Sequence, residues 1–373
     1  MFGVKMKPHR ELYRVEQFPV FQNLMFRSEA EARNCVKGDI ILVQDNETGL
    51  IYNQAFQPEL LKYNTDYQNE QAVSAVFQKH LQDVSEIIQV HFSKYSLIEV
   101  GCGKGYFLQQ LQRLGFDITG FDPTYEGLNP AVIKKYFSPE IGLRADGIIL
   151  RHVLEHIQDP AGFLLKIRDA NGGSGRIYIE VPCFDWICEH HAWFDIFYEH
   201  VNYFRLSDFY RMFGTVYKAG HIFNKQYLYV IADLATIRTP KFNKIDQIKF
   251  PENFLDSVEK YAAKLRSSII NHQSSIINHQ SRSAIWGGAS KGVIFALMME
   301  RSGTKVDIVI DINPAKQGKY LAATGIKVQS PAEAMERLAF GADLFVMNSN
   351  YLTEIQDITK HQFNYLLVDN EKI

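Results

Sequence analysis

One segment constrains this chain more than any other: Ser96 to Asp122, SLIEVGCGKGYFLQQLQRLGFDITGFD. It predicts a strand, a glycine-rich turn, a helix and a second strand with an acidic end. Leu97, Ile98 and Val100 surround Glu99, and Gly101, Gly103 and Gly105 follow. Phe107, Leu108, Leu111 and Leu114 recur at helical spacing, and Ile118 to Phe121 ends at Asp122. A glycine turn lets a ligand approach the backbone at a helix N-terminus. An acid ending the next strand can accept two hydrogen bonds from a ribose diol. The combination predicts a nucleoside-cofactor site.

The dinucleotide fingerprint is G-x-G-x-x-G. Here the spacing is E-x-G-x-G-x-G, with the acid two residues before the first glycine. This resembles motif I of class I S-adenosylmethionine-dependent methyltransferases. The resemblance implies S-adenosylmethionine rather than NAD, bound by Glu99, Gly101, Gly103, Gly105 and Asp122. The chemistry agrees: that cofactor has no pyrophosphate to seat on a helix dipole, but it carries a sulfonium and an amino acid end.

At 373 residues the chain is too long for one ordinary core. The expected class is α/β: a class I methyltransferase Rossmann-like core, a small α+β N-terminal lobe and a second Rossmann-like C-terminal domain. Residues 1–90 form the lobe, with a hairpin of Asp39–Val43 and Leu50–Asn53 and then a helix through Val76, Leu81, Val84 and Ile88. The core occupies 91–235, a helical linker 236–282 and the last domain 283–373. In the last, Ala284–Trp286 leads through Gly287-Gly288-Ala289-Ser290-Lys291-Gly292 into a helix, and further short strands end at Asp311 and Asn348. Such alternation predicts a parallel sheet covered on both faces. The turn lacks the Walker spacing, but its N–H groups and Lys291 suit a phosphate.

The linker repeats Ser267–Gln273 identically at Ser274–Gln280. Seven residues are close to two helical turns, so the repeat lengthens a helix while roughly keeping its face. Two copies are too few for a coiled coil, and His272 and His279 have no spaced partners for a metal.

Forty basic and 42 acidic residues nearly balance, and no basic run predicts nucleic acid or anionic lipid as a partner. No apolar run is long enough to cross a bilayer, and the first ten residues contain no signal core. Four scattered cysteines fit reduced thiols in the cytoplasm. A monomer or weak homo-oligomer is expected.

The chemistry concentrates in Phe194–Phe204, FDIFYEHVNYF. A histidine beside a carboxylate and among aromatic walls is a tunable general base. It follows the C-terminal end of a core strand, where open α/β sheets bind ligands. His152-Val153-Leu154-Glu155-His156 matches H-x-x-E-H formally, but it falls where the fourth core strand turns into its helix, not on the long helix a zinc protease needs. His152 and His156 remain candidates to face the reaction centre, His152 on the cofactor side and His156 on the catalytic side. Cys188-Glu189-His190-His191 has only a vicinal histidine pair and reads as a surface loop.

Motif I, the Tyr-Glu-His-Val-Asn-Tyr-Phe block and a C-terminal unit with GASKG, Asp311–Gly318 and Asn350–Ile355 occur in that order. Together, over about 60–373, they resemble the sugar C-methyltransferases that act on C3 of nucleotide-linked 4-keto-6-deoxy sugars. The resemblance implies His200 as the proton-abstracting base, supported by Glu199 and Tyr198. It implies an N-terminal tyrosine, Tyr63 or Tyr67, reaching the site. It implies a nucleotide sugar held with the help of Tyr203, Gly287, Lys291, Asn350 and Tyr351. The family's N-terminal zinc module needs two cysteine pairs, whereas this lobe has only Cys35, so no metal is expected. Two other readings compete: methyl transfer to a hydroxyl oxygen of a sugar or small molecule, and a non-catalytic nucleotide-binding protein.

Overall fold

The computed structural model describes residues 9–61, 72–270 and 281–370. Tyr63, Tyr67, His272 and His279 lie outside the described residues.

The N-terminal lobe is an antiparallel sheet of β1 (His9–Pro19), β2 (Lys37–Asp45) and β3 (Ile51–Asn53). The expected hairpin is β2–β3. Asp45 shapes its turn, with Oδ1 accepting from the Glu47 and Thr48 N–H groups. β1 pairs with β2 but has no clean alternation of its own, which hid it in the sequence.

The core follows with β4 (Leu97–Val100), β5 (Ile118–Phe121), β6 (Val132–Ile133), β7 (Gly147–Arg151) and β8 (Arg176–Pro182). The chain then crosses to β9 (Asn202–Tyr203), which pairs with β3 in the first sheet. It returns as β10 (Val216–Ile222) and β11 (Tyr227–Asp233). The seven core strands lie in the order β10-β11-β8-β7-β4-β5-β6, with β11 antiparallel to both neighbours. The helix Ala75–Phe92 buries Phe77, Leu81, Val84, Ile88 and Phe92, one stripe at helical spacing, in the same cluster as Leu97, Leu108 and Leu111. It therefore packs with the core, although the sequence reading grouped it with the lobe.

The C-terminal domain contains β12 (Ser281–Trp286), β13 (Ile308–Ile310), β14 (Val328–Gln329), β15 (Leu338–Val346) and β16 (Asn364–Leu367). All pairings are parallel, in the order β14-β13-β12-β15-β16. The helix Asp256–Ile270 belongs to this body rather than to a polar linker. Tyr261, Ala262 and Leu265 are buried, and the Tyr261 ring lies 5.5 Å from that of Phe295. The lobe is fastened to the same domain by a backbone bridge between Phe26 and Tyr320 and by the Arg33–Glu300 ion pair at 2.9 Å. The four cysteines are free thiols.

Both the core sheet and the C-terminal sheet reverse strand order between their first and fourth strands, β4/β7 in the core and β12/β15 in the C-terminal domain. Ligands bind outside the carboxyl ends of strands at such points. Gly101 and His152 follow the first pair, Gly287 and Met347 the second, and all four line one shared cleft.

Candidate active site in the cleft between two switch points

The cleft has a volume of about 420 Å3. On its core side Glu99 is 3% exposed, and its Oε2 has no hydrogen-bond partner. Burial pushes its carboxyl up to about 7, against the pull of Arg151 and with a further push from Asp122. Gly101 has φ +75°, and a Cβ there would stand 2.5 Å from Val153, so the turn needs glycine at this position. A Cβ on Gly103 would meet nothing within 4 Å, which leaves backbone open to an incoming ligand.

Asp122 is engaged by its own turn. Its Oδ2 accepts the Gly103 N–H at 2.8 Å, and its Oδ1 accepts the Thr124 N–H and hydroxyl at 2.8 and 2.7 Å. The carboxylate fixes the shape of the glycine turn, and it is not part of the cleft wall. A short polar side chain closing its own turn is chemically as natural as one gripping a ribose.

Beneath the cleft sits a buried charge cluster. Glu180, fully buried in β8, accepts from Arg151 Nε at 2.9 Å, His80 Nε2 at 2.8 Å, His152 Nε2 at 3.1 Å and the Tyr178 hydroxyl at 3.0 Å. Burial alone would raise its pKa, but Arg151, His152 and His80 hold it well below the usual carboxylate range. Burial likewise works against a charged His152, yet Glu155 and Glu180 together hold its pKa up at about 9. His152 is therefore an imidazolium at neutral pH. Its backbone is left-handed, φ +50°, a conformation that costs a non-glycine residue about 1–3 kcal/mol. The sequence analysis did not single out Glu180 or His80. The signal for Glu180 was present: one acid inside the apolar strand RIYIEVP.

His156 Nδ1 donates to the Glu199 carbonyl at 2.8 Å, which turns its other ring nitrogen away from that bond. The His156 and His200 rings meet edge to face at 5.0 Å, and both line the cleft with Glu155. A carboxylate oxygen of Glu155 and a ring nitrogen of each histidine lie within 4.8 Å of one another. Glu155 Oε1 is 3.3 Å from the His152 imidazolium, which already supplies the positive partner a carboxylate there requires. Burial, then the neighbouring His156, press the pKa of His200 down to about 3, with Glu155 opposing. His200 is neutral.

Only part of the aromatic block faces the cleft. Phe197, Glu199 and His200 line it. Tyr198 points the other way, into the N-terminal lobe: its hydroxyl accepts the Gln57 N–H at 2.9 Å, and its ring packs on Gly38 and Phe56. Tyr203 is likewise removed from the cleft. Its hydroxyl donates to the Phe197 carbonyl at 3.0 Å and accepts the Phe197 N–H at 2.9 Å, closing the loop on itself.

On the C-terminal side Lys291 Nζ pairs with Asp195 at 3.0 Å, bonds Gln226 Oε1 at 3.2 Å and lies 5.0 Å over the Trp186 ring. The turn before it is less open to an anion than its sequence suggests. The Gly287 N–H is spent on the Ile310 carbonyl, the Gly288 N–H on Asp311 Oδ2 and the Ser290 N–H on the Gln22 carbonyl. Lys316 is paired with Asp311 at 3.1 Å. Tyr351 lines the cleft, but Asn350 does not: it bonds Asn224 and the Phe223 carbonyl and ties the core hairpin to the C-terminal domain.

Two family models match the chain: a methyltransferase domain over residues 67–216 and a C-methyltransferase C-terminal domain over residues 234–364. The chain is an S-adenosylmethionine-dependent methyltransferase. Solved structures with a similar core include the PH0226 protein of Pyrococcus horikoshii OT3, at 12% identity over 48% of this chain and 100% of that one, with a TM-score of 0.37. A SAM-dependent methyltransferase of Archaeoglobus fulgidus is similar at 18% identity over 43% and 95% of the two chains, TM-score 0.33. The 1,6-didemethyltoxoflavin-N1-methyltransferase of Burkholderia thailandensis is similar at 14% identity over 49% and 95%, TM-score 0.34. No curated protein matches the chain. Among the described residues, no helix of the methyltransferase is long and apolar enough to cross a membrane.

Proposed function

We propose that the enzyme methylates carbon 3 of a nucleotide-linked 4-keto-6-deoxy sugar, with His200 as the base that removes the C3 proton. The observation that carries this reading is one cleft holding both a glycine turn with an unpartnered acid, Glu99, and a neutral histidine, His200. The match of the C-terminal half to a C-methyltransferase domain supports carbon as the acceptor.

The residues present suit S-adenosylmethionine. Glu99 Oε2 is a buried acceptor with no protein donor, and the cofactor's ammonium group is a donor of the right charge. When bound, the cofactor supplies an electrophilic methyl group on a sulfonium. All other steps fall to the chain. A carbon next to a ketone becomes a nucleophile only after losing a proton to give an enolate. A low pKa keeps His200 unprotonated throughout the physiological range. Uptake of the C3 proton becomes favourable as negative charge develops on the sugar beside it. His156 and Glu155, within 4.8 Å, give that proton an onward path. The aromatic wall around Phe197 excludes water that would quench the carbanion, and the two domains fix donor and acceptor in one geometry.

The test is direct. The enzyme is incubated with methyl-13C-labelled S-adenosylmethionine and a nucleoside diphosphate 4-keto-6-deoxyhexose, and the product is read by NMR. A methyl carbon attached to C3 is expected, and an O-methyl resonance would refute the carbon chemistry. His200→Asn keeps size and removes basicity. It should cut turnover by about 10²–10⁴ and abolish solvent deuterium exchange at C3. Exchange at the wild-type rate would remove His200 from the role.

A further inference from the structure

Among the described residues, the N-terminal lobe reaches the cleft through Gln22 and Asn23. Gln22 is 1% exposed and lines the cavity. Its backbone joins the two halves of the site: its N–H donates to Glu199 Oε2 at 3.0 Å, and its carbonyl accepts the Ser290 N–H at 3.1 Å. Its side chain is half satisfied. Nε2 donates to the Pro19 carbonyl at 2.6 Å, whereas Oε1 is buried without a partner. The orientation of the amide is fixed chemically. The Pro19 carbonyl can only accept, so the nitrogen must face it and the oxygen must point away from it.

A buried acceptor without a donor costs about 1–3 kcal/mol. Other buried atoms of the wall share this character. Glu99 Oε2 and Glu155 Oε2 are also buried acceptors without partners, while three buried or half-buried cations of the wall are spent: Lys291 on Asp195, Lys316 on Asp311 and Arg151 on Glu180. The buried part of the wall thus offers acceptors to a ligand that brings donors. Glu99 follows β4 at the glycine turn, so its donor belongs to the cofactor. Gln22 is tied instead to Glu199, which precedes His200, and to the turn of the C-terminal domain.

From this we infer that Gln22 Oε1 is a hydroxyl-accepting subsite for the sugar, contributed by the N-terminal lobe. This rests on the proposed sugar acceptor. A neutral amide oxygen accepts from a neutral hydroxyl without placing charge beside the base. The lobe therefore does more than support the fold: it reads one hydroxyl of the acceptor sugar.

Gln22→Met tests the inference, since it preserves length and both backbone bonds while removing the acceptor. Binding of dTDP-4-keto-6-deoxyglucose, its 2-deoxy and 3-deoxy counterparts, and S-adenosylmethionine is measured by calorimetry on full-length wild type and variant, with turnover alongside. The variant should bind the parent sugar about 3- to 10-fold more weakly, the scale of one hydrogen bond. Cofactor affinity should stay within about twofold, and one deoxy analogue should bind both proteins equally. Unchanged sugar affinity, or an equal deficit for every analogue, overturns the inference and leaves Gln22 a structural residue. A parallel loss of cofactor affinity would assign the hydroxyl to the cofactor ribose and also overturn it. A wild type that binds the sugar but methylates oxygen refutes the carbon chemistry alone, because the Gln22 contact is still measured by binding. A wild type that binds none of these sugars refutes both.

Discussion

Glu99 gives the enzyme a stability that should depend on pH in an unusual direction. Its carboxyl ionises at 4.5 when exposed and at about 7 in the folded chain, mainly because burial disfavours the anion. Between these values the unfolded chain has lost the proton and the native chain still holds it. Stability therefore falls as pH rises through this window and stays lower above pH 7. The interval corresponds to about 3 kcal/mol once both states are ionised. Glu99→Gln removes the titration but keeps the shape. Near pH 4.5 the two proteins should melt together. At pH 8 the variant should be more stable by about 2–3 kcal/mol, a rise of about 5–10 °C in the core transition. Ligand binding should move the other way. The same substitution deletes the carboxylate proposed to pair with the cofactor's ammonium, so S-adenosylmethionine should bind about 10- to 150-fold more weakly. Differential scanning calorimetry at pH 4.5, 6 and 8, with cofactor titrations of each protein, measures both effects. Asp208, whose carboxyl burial also raises to about 7, is common to the two proteins and cancels in the comparison. A stability gap that stays the same at every pH would show that Glu99 is not a desolvated acid, and the reasoning that assigns it to the ammonium would fall with it.

Asp122→Ala removes the acceptor that fixes Gly103 and Thr124, so it should lower the melting temperature and weaken S-adenosylmethionine by about 1.5–3 kcal/mol. Unchanged affinity by calorimetry would separate the shape of the turn from cofactor binding. Lys291→Ala strips Asp195 of its partner and should raise the sugar nucleotide KM while leaving the cofactor Kd within about twofold. Adding Asp195→Asn should restore the stability lost in the single variant, because the orphaned charge is gone. An equal loss of both ligands in Lys291→Ala would mean that the ion pair organises the cleft as a whole.

The fold was legible where local pattern and tertiary need coincide. The strand-turn-helix at Leu97–Arg113 must bury one face and open the other, and its glycine spacing admits few alternatives. The same holds for β12 and the helix after it. Legibility failed where the signal is not local. β9 has two residues, too few for any period, and exists because β3 offers it an edge. The helix Ala75–Phe92 was found from its stripe, but a stripe does not say which body it covers.

The site divides along the same line. Residue types with intrinsic chemistry were visible: Glu99, His152, His156, His200 and Lys291 all line the cleft. Their directions were not visible, and so Tyr198, next to two cleft residues, proves to support the lobe instead. The partners that set their charge were hidden for a further reason. Glu155, three residues on, holds His152 charged together with Glu180, which stands 28 positions away, and Gln22 bonds Glu199 across 177. Neither of the two longer distances leaves a trace in spacing. Catalytic groups in an α/β enzyme sit on loops at strand ends, but their ionisation is decided by what the sheet places underneath. A motif therefore locates candidate titratable groups, and only the fold says which of them is charged: Glu155 and Glu180 hold His152 protonated, whereas burial holds His200 neutral.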